Sequence, residues 1–310
     1  MAYLVFIMLS LIWGTTWIAI KITLEGIPPF LGATTRFIIA ILFLTLFAIW
    51  QHVPLRIPRK AYKILLYSAF FMYVFDYGFV YWGEQYLSAG VTAIFFATFP
   101  IFIGLFSHFV VKSERVGWAQ ILGIFLGFSG VFIIFYDQLL KTAFNAQIIL
   151  ATLAVVLGAA GGAFSTVLVK KYLNHIPAVP LTIHQMLWGA IFLGSLGILR
   201  GEVKHIHLAP HVIYAALYLG AIGSALAFGS YYWLLKKVSA LTVSFIIYIT
   251  PVIALFIDWI YLGHPITWQI IVGALFIFSG ITVSQWESYQ QLWMRYHQKK
   301  ALSMGGSNNP

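Results

Sequence analysis

Ten runs of roughly 20 mostly apolar residues, separated by short polar, charged or Pro/Gly breaks, decide what this chain can become. They lie near residues 3–22, 30–50, 62–82, 86–108, 116–136, 147–169, 178–199, 211–233, 239–261 and 267–286. With 61% hydrophobic and 8% charged residues, the chain cannot cover a water-facing surface, because soluble domains carry about a quarter charged residues. In hydrocarbon every backbone amide must bond internally, which leaves helices or closed barrels. Barrel strands alternate apolar and polar over about 10 positions, and these runs are uninterrupted. The expected fold class is therefore all-α: a polytopic membrane protein with ten transmembrane helices. The first run lacks a basic leader and a small-residue cleavage pattern, so it is expected to stay as a span.

The net charge of +10 raises the question of an anionic partner, and its placement answers it. Thirteen of the eighteen basic residues fall on one side, among them Arg56, Lys60, Lys112, Lys170, Lys171, Lys236 and Lys237. The other side holds Lys21, Lys141, Arg200 and Lys204, and Arg36 lies inside a span. The excess marks the cytoplasmic face, so both termini are expected there, in the cytoplasmic (inner) membrane, with the lipid bilayer rather than nucleic acid as the partner. No cysteine is present, which excludes disulfides and thiolate chemistry.

The chain also matches itself. Ser88-Ala89, Pro100, Glu114, Trp118, Gly123 and Phe128-Ser129-Gly130 recur as Ser239-Ala240, Pro251, His264, Trp268, Gly273 and Phe278-Ser279-Gly280. The offset is 151 before the intervening loop and 150 after it. Two units follow, residues 1–142 and 143–286, with a cytoplasmic tail over 287–310. Five helices per unit is an odd number, so the second enters from the opposite side and the repeats are inverted. Inverted repeats are the construction of secondary transporters, whose halves rock about a midplane site.

Trp13-Gly14 followed by Lys21, the intramembrane Arg36, the Ser88–Arg115 stretch (SAG, FATFP, SER) and Pro251 with the following YLGHPIT resemble the EamA family of the drug/metabolite transporter superfamily. The resemblance implies ten helices around a central cavity and export of amino acids or other small metabolites. One departure is Gly263-His264, where such proteins usually carry Gly-Glu.

Ionisable groups inside spans are costly unless paired or hydrated, so they are the first candidates for a site. Arg36 and Asp76 each lie about two turns in from the same face and could form an ion pair, either structural or responsive to substrate or protons; Asp258 competes as the partner. Tyr73, Asp76, Tyr77, Tyr81 and Glu84 recur at three and four residues and so share a helix face. Ser244, Tyr248, Pro251 and Asp258 trace a similar line. Pro251 and Pro100 each free a midspan carbonyl, for a ligand or merely for a kink. Trp13 lies mid-helix, away from the interface that tryptophan prefers. Trp50, Trp82, Trp118, Trp259, Trp268, Trp286 and Trp293 suit an aromatic belt. The substrate-binding set is therefore Trp13, Arg36, Tyr73, Asp76, Tyr77, Tyr81, Pro100, Ser244, Tyr248, Pro251 and Asp258. His108 and His184 suit packing, and the pairs Gly123/Gly127 and Gly158/Gly162 suit close helix contacts, more within one chain than between two.

A metal-dependent membrane enzyme is the competing class, because His205, His207 and His211 cluster near Glu202. The other histidines are scattered, however, and zinc-hydrolase, serine-elbow and P-loop motifs are absent. No catalytic residue, metal or cofactor is expected. A small zwitterion such as an amino acid fits the candidate set, with cationic drugs and sugar-like metabolites as alternatives. A monomer is favoured, with the oligomeric state left open.

Overall fold

The computed structural model describes residues 1–111, 116–262 and 267–286, with the backbone alone over 257–262. Glu114, His264, Trp293 and the side chains of Asp258 and Trp259 thus lie outside the described residues. The spans are helical, with short turns at Ala97-Thr98 in the fourth and Phe245 in the ninth, and the described residues contain no strand. Eight long apolar helices are α1 (Ala2–Leu24), α2 (Pro29–Trp50), α3 (Arg59–Glu84), α4 (Ala89–Val110), α5 (Trp118–Lys141), α6 (Ala146–Leu173), α7 (Ala178–Leu199) and α8 (Pro210–Leu235). Two shorter ones follow, α9 (Ala240–Phe256, the helix running on to Leu262) and α10 (Trp268–Ser284). All ten expected spans are present. The largest boundary differences are at the ends of α5 and α6, each of which runs further than its apolar stretch.

Hydrocarbon, not water, is the solvent of this bundle. On α2, Ala33, Phe37, Ala40 and Leu44 are buried, yet the opposite face is equally apolar, with Leu42, Leu46 and Ile49 57%, 56% and 65% exposed. Trp50, Trp118, Trp268 and Trp286 stand exposed at helix ends, where an indole meets both lipid and water.

The pairing of helices follows the repeat. The first helix of each half packs against the third and fourth helices of the other: α1 lies on α8 and α9, and α6 on α3 and α4. Counterparts α2 and α7 pack together, as do α5 and α10. A methyl group at Gly123 would lie 2.6 Å from Gly280 O, and one at Gly280 would lie 2.6 Å from Gly123 O. Gly130 and Gly273 stand in the same relation, at 2.5 and 2.6 Å. Residue 123 thus meets 280 while 130 meets 273, so the two helices are antiparallel. The contact is also its own image under exchange of the halves, as an inverted repeat requires. Gly127 lies beneath the Tyr248 ring instead. Both glycine contacts are within the chain. Gly280→Ala is expected to force the backbones apart and to cost about 1–3 kcal/mol, the usual range for overpacking. Thermal unfolding in detergent checks this, and an unchanged midpoint would mean that the seam is loose.

Local chemistry repeats as well. Ser88 and Ser239 are the N-caps of α4 and α9, accepting from Val91 N and Thr242 N at 3.3 and 3.1 Å. Lys21 near the end of α1 donates to the main-chain carbonyl of Glu84, the last residue of α3. Lys170 near the end of α6 donates to Leu235 O at 2.7 Å, the last residue of α8, and to Val238 O at 2.8 Å. Glu84 and Leu235 are 151 apart, the repeat offset. One lysine therefore closes the carboxyl end of a helix at each membrane face, where the macrodipole favours a cation.

α3 and α8 also share an interruption. Each widens into a π-helical segment, over Phe70–Asp76 and Ala221–Leu226. Such i→i+5 turns release a carbonyl from the regular ladder.

Candidate functional site

The widened turn of α8 builds the site's polar anchor. Ala227 N–H reaches Ile222 O and Ser224 O and bypasses Gly223 O, its regular α-helical acceptor. That carbonyl is taken by side chains of two other helices. Arg36 Nη2 on α2 donates to it at 2.9 Å and Trp13 Nε1 on α1 at 3.3 Å. Arg36 Nε also donates to Ser224 Oγ, and the guanidinium sits over the Tyr77 ring, 4.9 Å from its centroid. Arg36 is only 2% exposed, and these partners are what make such burial tolerable.

The candidate Arg36–Asp76 ion pair is not formed. Among the described residues the two groups are not within 4.0 Å, and Asp76 has neither an ion pair nor a hydrogen bond. Depth alone suggested the pair; the π segment of α8 offers Arg36 nearer acceptors. Asp76, 4% exposed, instead rests against α6. A methyl group at Gly158 would lie 3.4 Å from Asp76 Oδ1, and one at Gly162 would lie 2.2 Å from Oδ2. The pair read as a helix-packing stripe is thus the seat of a carboxylate.

Trp13, Arg36, Asp76, Tyr77 and Ser244 converge on one cavity. Its remaining wall is part aromatic, with Trp17 from α1, Phe96 and Phe99 from α4, and Phe228 and Tyr231 from α8, and part aliphatic; Thr16 and Thr250 add hydroxyls. Trp13 packs on Phe228 and Tyr231 at 5.6 and 5.3 Å between centroids. Both halves contribute to the walls.

The other candidates lie behind this surface. Tyr73 is fully buried, stacked on Tyr77 at 6.0 Å, with its hydroxyl 3.5 Å from that of Tyr232. Tyr81 and Glu84 are also fully buried, and neither Glu84 carboxyl oxygen has a hydrogen-bond partner among the described residues. The shared face expected on α3 is kept, with the Tyr73, Tyr77 and Tyr81 rings successively 6.0 and 6.3 Å apart, but only Asp76 and Tyr77 of it reach the cavity lining. Tyr248 donates to Ile124 O at 3.1 Å and serves the α9–α5 contact. Pro100 and Pro251 are buried outside the lining. Pro251 removes the partner of Ile247 O, and the Thr250 hydroxyl takes that carbonyl at 3.0 Å. Of the residues that sequence reasoning passed over, Thr16 and Trp17 carried a usable signal: both are near-neighbours of Trp13 on α1, Thr16 at i+3 and Trp17 at i+4.

The histidine group near Glu202 is dispersed. Gly201, at φ +74°, ends α7 in a left-handed conformation and turns the chain so that Glu202 Oε2 accepts Leu31 N–H at 2.9 Å, capping α2. His211 Nε2 lies 3.1 Å from Glu25 Oε2. Among the described residues no three histidines or carboxylates gather as metal ligands. His184 Nδ1 bonds Pro180 O at 2.9 Å and packs edge-on to Tyr62.

A ten-helix apolar bundle with counterpart halves and a cavity between them defines a multi-pass helical membrane transporter scaffold. The EamA-like transporter family matches residues 1–136 and again 149–285, and the chain belongs to it. It is 28% identical over 275 residues to the uncharacterized transporter YoaV of Bacillus subtilis (strain 168), covering 89% of this chain and 93% of that one. It is 27% identical over 266 residues to protein PagO of Salmonella typhimurium, covering 85% and 86%. A solved crystal structure with 18% identity superposes with a TM-score of 0.76, covering 91% of this chain and 96% of that one, which shows the shared fold.

Proposed function

We propose that this membrane transporter exports small zwitterions, amino acids with an apolar or aromatic side chain foremost, by alternating access around the cavity. The observation that carries the reading is the Asp76 carboxylate, without an ion partner among the described residues, set at an aromatic cavity that also holds the Arg36 guanidinium. In a site shielded from water a carboxylate selects an ammonium group, aromatic faces add cation–π attraction and apolar contact, and a guanidinium suits a carboxylate. Walls drawn from both halves suit a site that rocking exposes to each side in turn. Both termini are assigned to the cytoplasm and the chain to the inner membrane on the strength of the basic-residue asymmetry.

A second reading, export of organic cations, draws on the commitment of Arg36 Nε and Nη2 to Ser224 and Gly223. Counterflow in proteoliposomes with a panel of amino acids, cationic dyes and sugars, with and without a pH gradient, separates the two. Exchange of aromatic or branched amino acids is expected. Exchange of dyes with none of any amino acid would overturn the zwitterion reading in favour of the second.

A further inference from the structure

Away from the cavity, two openings meet at the ends of α1, α3 and α7. The polar one lies among the α1–α2, α3–α4 and α7–α8 loops and holds Glu25, Tyr86, Arg200, Glu202 and His205. The apolar one descends between α3, α6 and α7 and is walled by Phe70, Phe75, Phe79, Ala154, Leu193 and Leu196. Phe30, Trp82 and Arg200 line both, so the two are continuous. Gly78 keeps the floor of the cleft low, since a methyl group there would lie 3.2 Å from Leu193 Cδ2. From Trp82 to Phe70 the cleft follows 12 residues of helix, roughly 18 Å at ~1.5 Å per residue, close to the ~15 Å of one hydrocarbon leaflet.

The charges at the top are unequally committed. Glu202 is used by Leu31 N–H and Glu25 by His211. The Arg200 guanidinium has no ion pair among the described residues and lies over the Phe30 ring, 5.6 Å from its centroid. An uncommitted guanidinium at the head of an apolar cleft one leaflet deep matches a phosphodiester attached to a hydrocarbon chain. We propose that this groove is a binding site for one phospholipid of the adjacent leaflet, with its phosphate on Arg200 and an acyl chain laid along α3 between Trp82 and Phe70. Arginine suits the head position because its planar fork can hold two phosphate oxygens at once.

The test is native mass spectrometry of the full chain in detergent with added phosphatidylglycerol, with diacylglycerol and soluble glycerol phosphate as the other two probes. The wild type is expected to retain one phosphatidylglycerol and neither of the others. Arg200→Gln, at an exposed position, and Leu196→Trp, which fills the cleft from a residue 39% exposed, are each expected to lower that adduct at least about fivefold with the unfolding midpoint preserved. Equal retention of diacylglycerol would overturn the role of the phosphate. Glycerol phosphate bound as well as the lipid would reduce the site to a free-anion pocket and overturn the cleft. Adducts unchanged in both variants would overturn the site as a whole.

Discussion

Arg36→Ala is expected to weaken the bundle by about 2–4 kcal/mol and to abolish counterflow. The substitution deletes two hydrogen bonds from a charged group to Gly223 O and Ser224 Oγ, each worth roughly 1.5–3 kcal/mol. The cost of burying a guanidinium is recovered at the same time, which is why the net loss is set below the sum of the bonds. These bonds tie α2 of the first half to the π segment of α8 in the second. Without them the released carbonyl keeps only the longer contact from Trp13, at 3.3 Å. Arg36→Lys is expected to restore part of the stability and little of the transport. An ammonium can reach the carbonyl but cannot also hold the serine with the same planar fork. Unfolding followed by tryptophan fluorescence in detergent, beside counterflow, checks both. Wild-type melting of Arg36→Ala would mean that the cross-link contributes nothing.

Gly162→Ala is expected to cut counterflow at least about tenfold, since a misplacement of about 1 Å at a reacting or binding group commonly costs that much or more. The added methyl would lie 2.2 Å from Asp76 Oδ2, 3.0 Å from its Cγ and 3.2 Å from Phe99 Cε2, so the carboxylate has to leave its seat. Stability should fall by about 1–3 kcal/mol from overpacking. The double variant Gly162→Ala/Asp76→Ala separates the two consequences. It should regain most of the stability, because the clash is gone, and none of the transport, because the carboxylate is gone with it. Coupling of this kind is expected of residues in contact. If Gly162→Ala transports at the wild-type rate, Asp76 is not the group that holds substrate.

Several parts of the site were legible residue by residue. Trp13, Arg36 and Asp76 stand out because an indole in midspan and charges in hydrocarbon are expensive, so each must have a reason to be there. Their partners were not legible. Arg36 and Asp76 share a depth, but depth fixes one coordinate of three, and the guanidinium turned to Gly223 and Ser224 on a helix nearly two hundred residues away. Tyr73 and Tyr81 fit the spacing of a cavity face and flank Tyr77 on it, yet both are fully buried by packing and only Tyr77 of the three reaches the lining. Nothing common to Phe70–Asp76 and Ala221–Leu226 announces a π segment. Ser244 faces the cavity, whereas Tyr248, one turn on, is held by Ile124.

By itself the sequence determined the spans, their number and the doubling of the chain. Hydrophobic length, backbone satisfaction in lipid and repeated residues are properties of segments, which act before any two helices meet. Which helices touch, which carbonyl is left free and which side chain claims it were decided only in three dimensions. A stranded acceptor or an unfilled glycine notch gains its partner from whatever the packing brings beside it, and in this chain that partner comes from the opposite half.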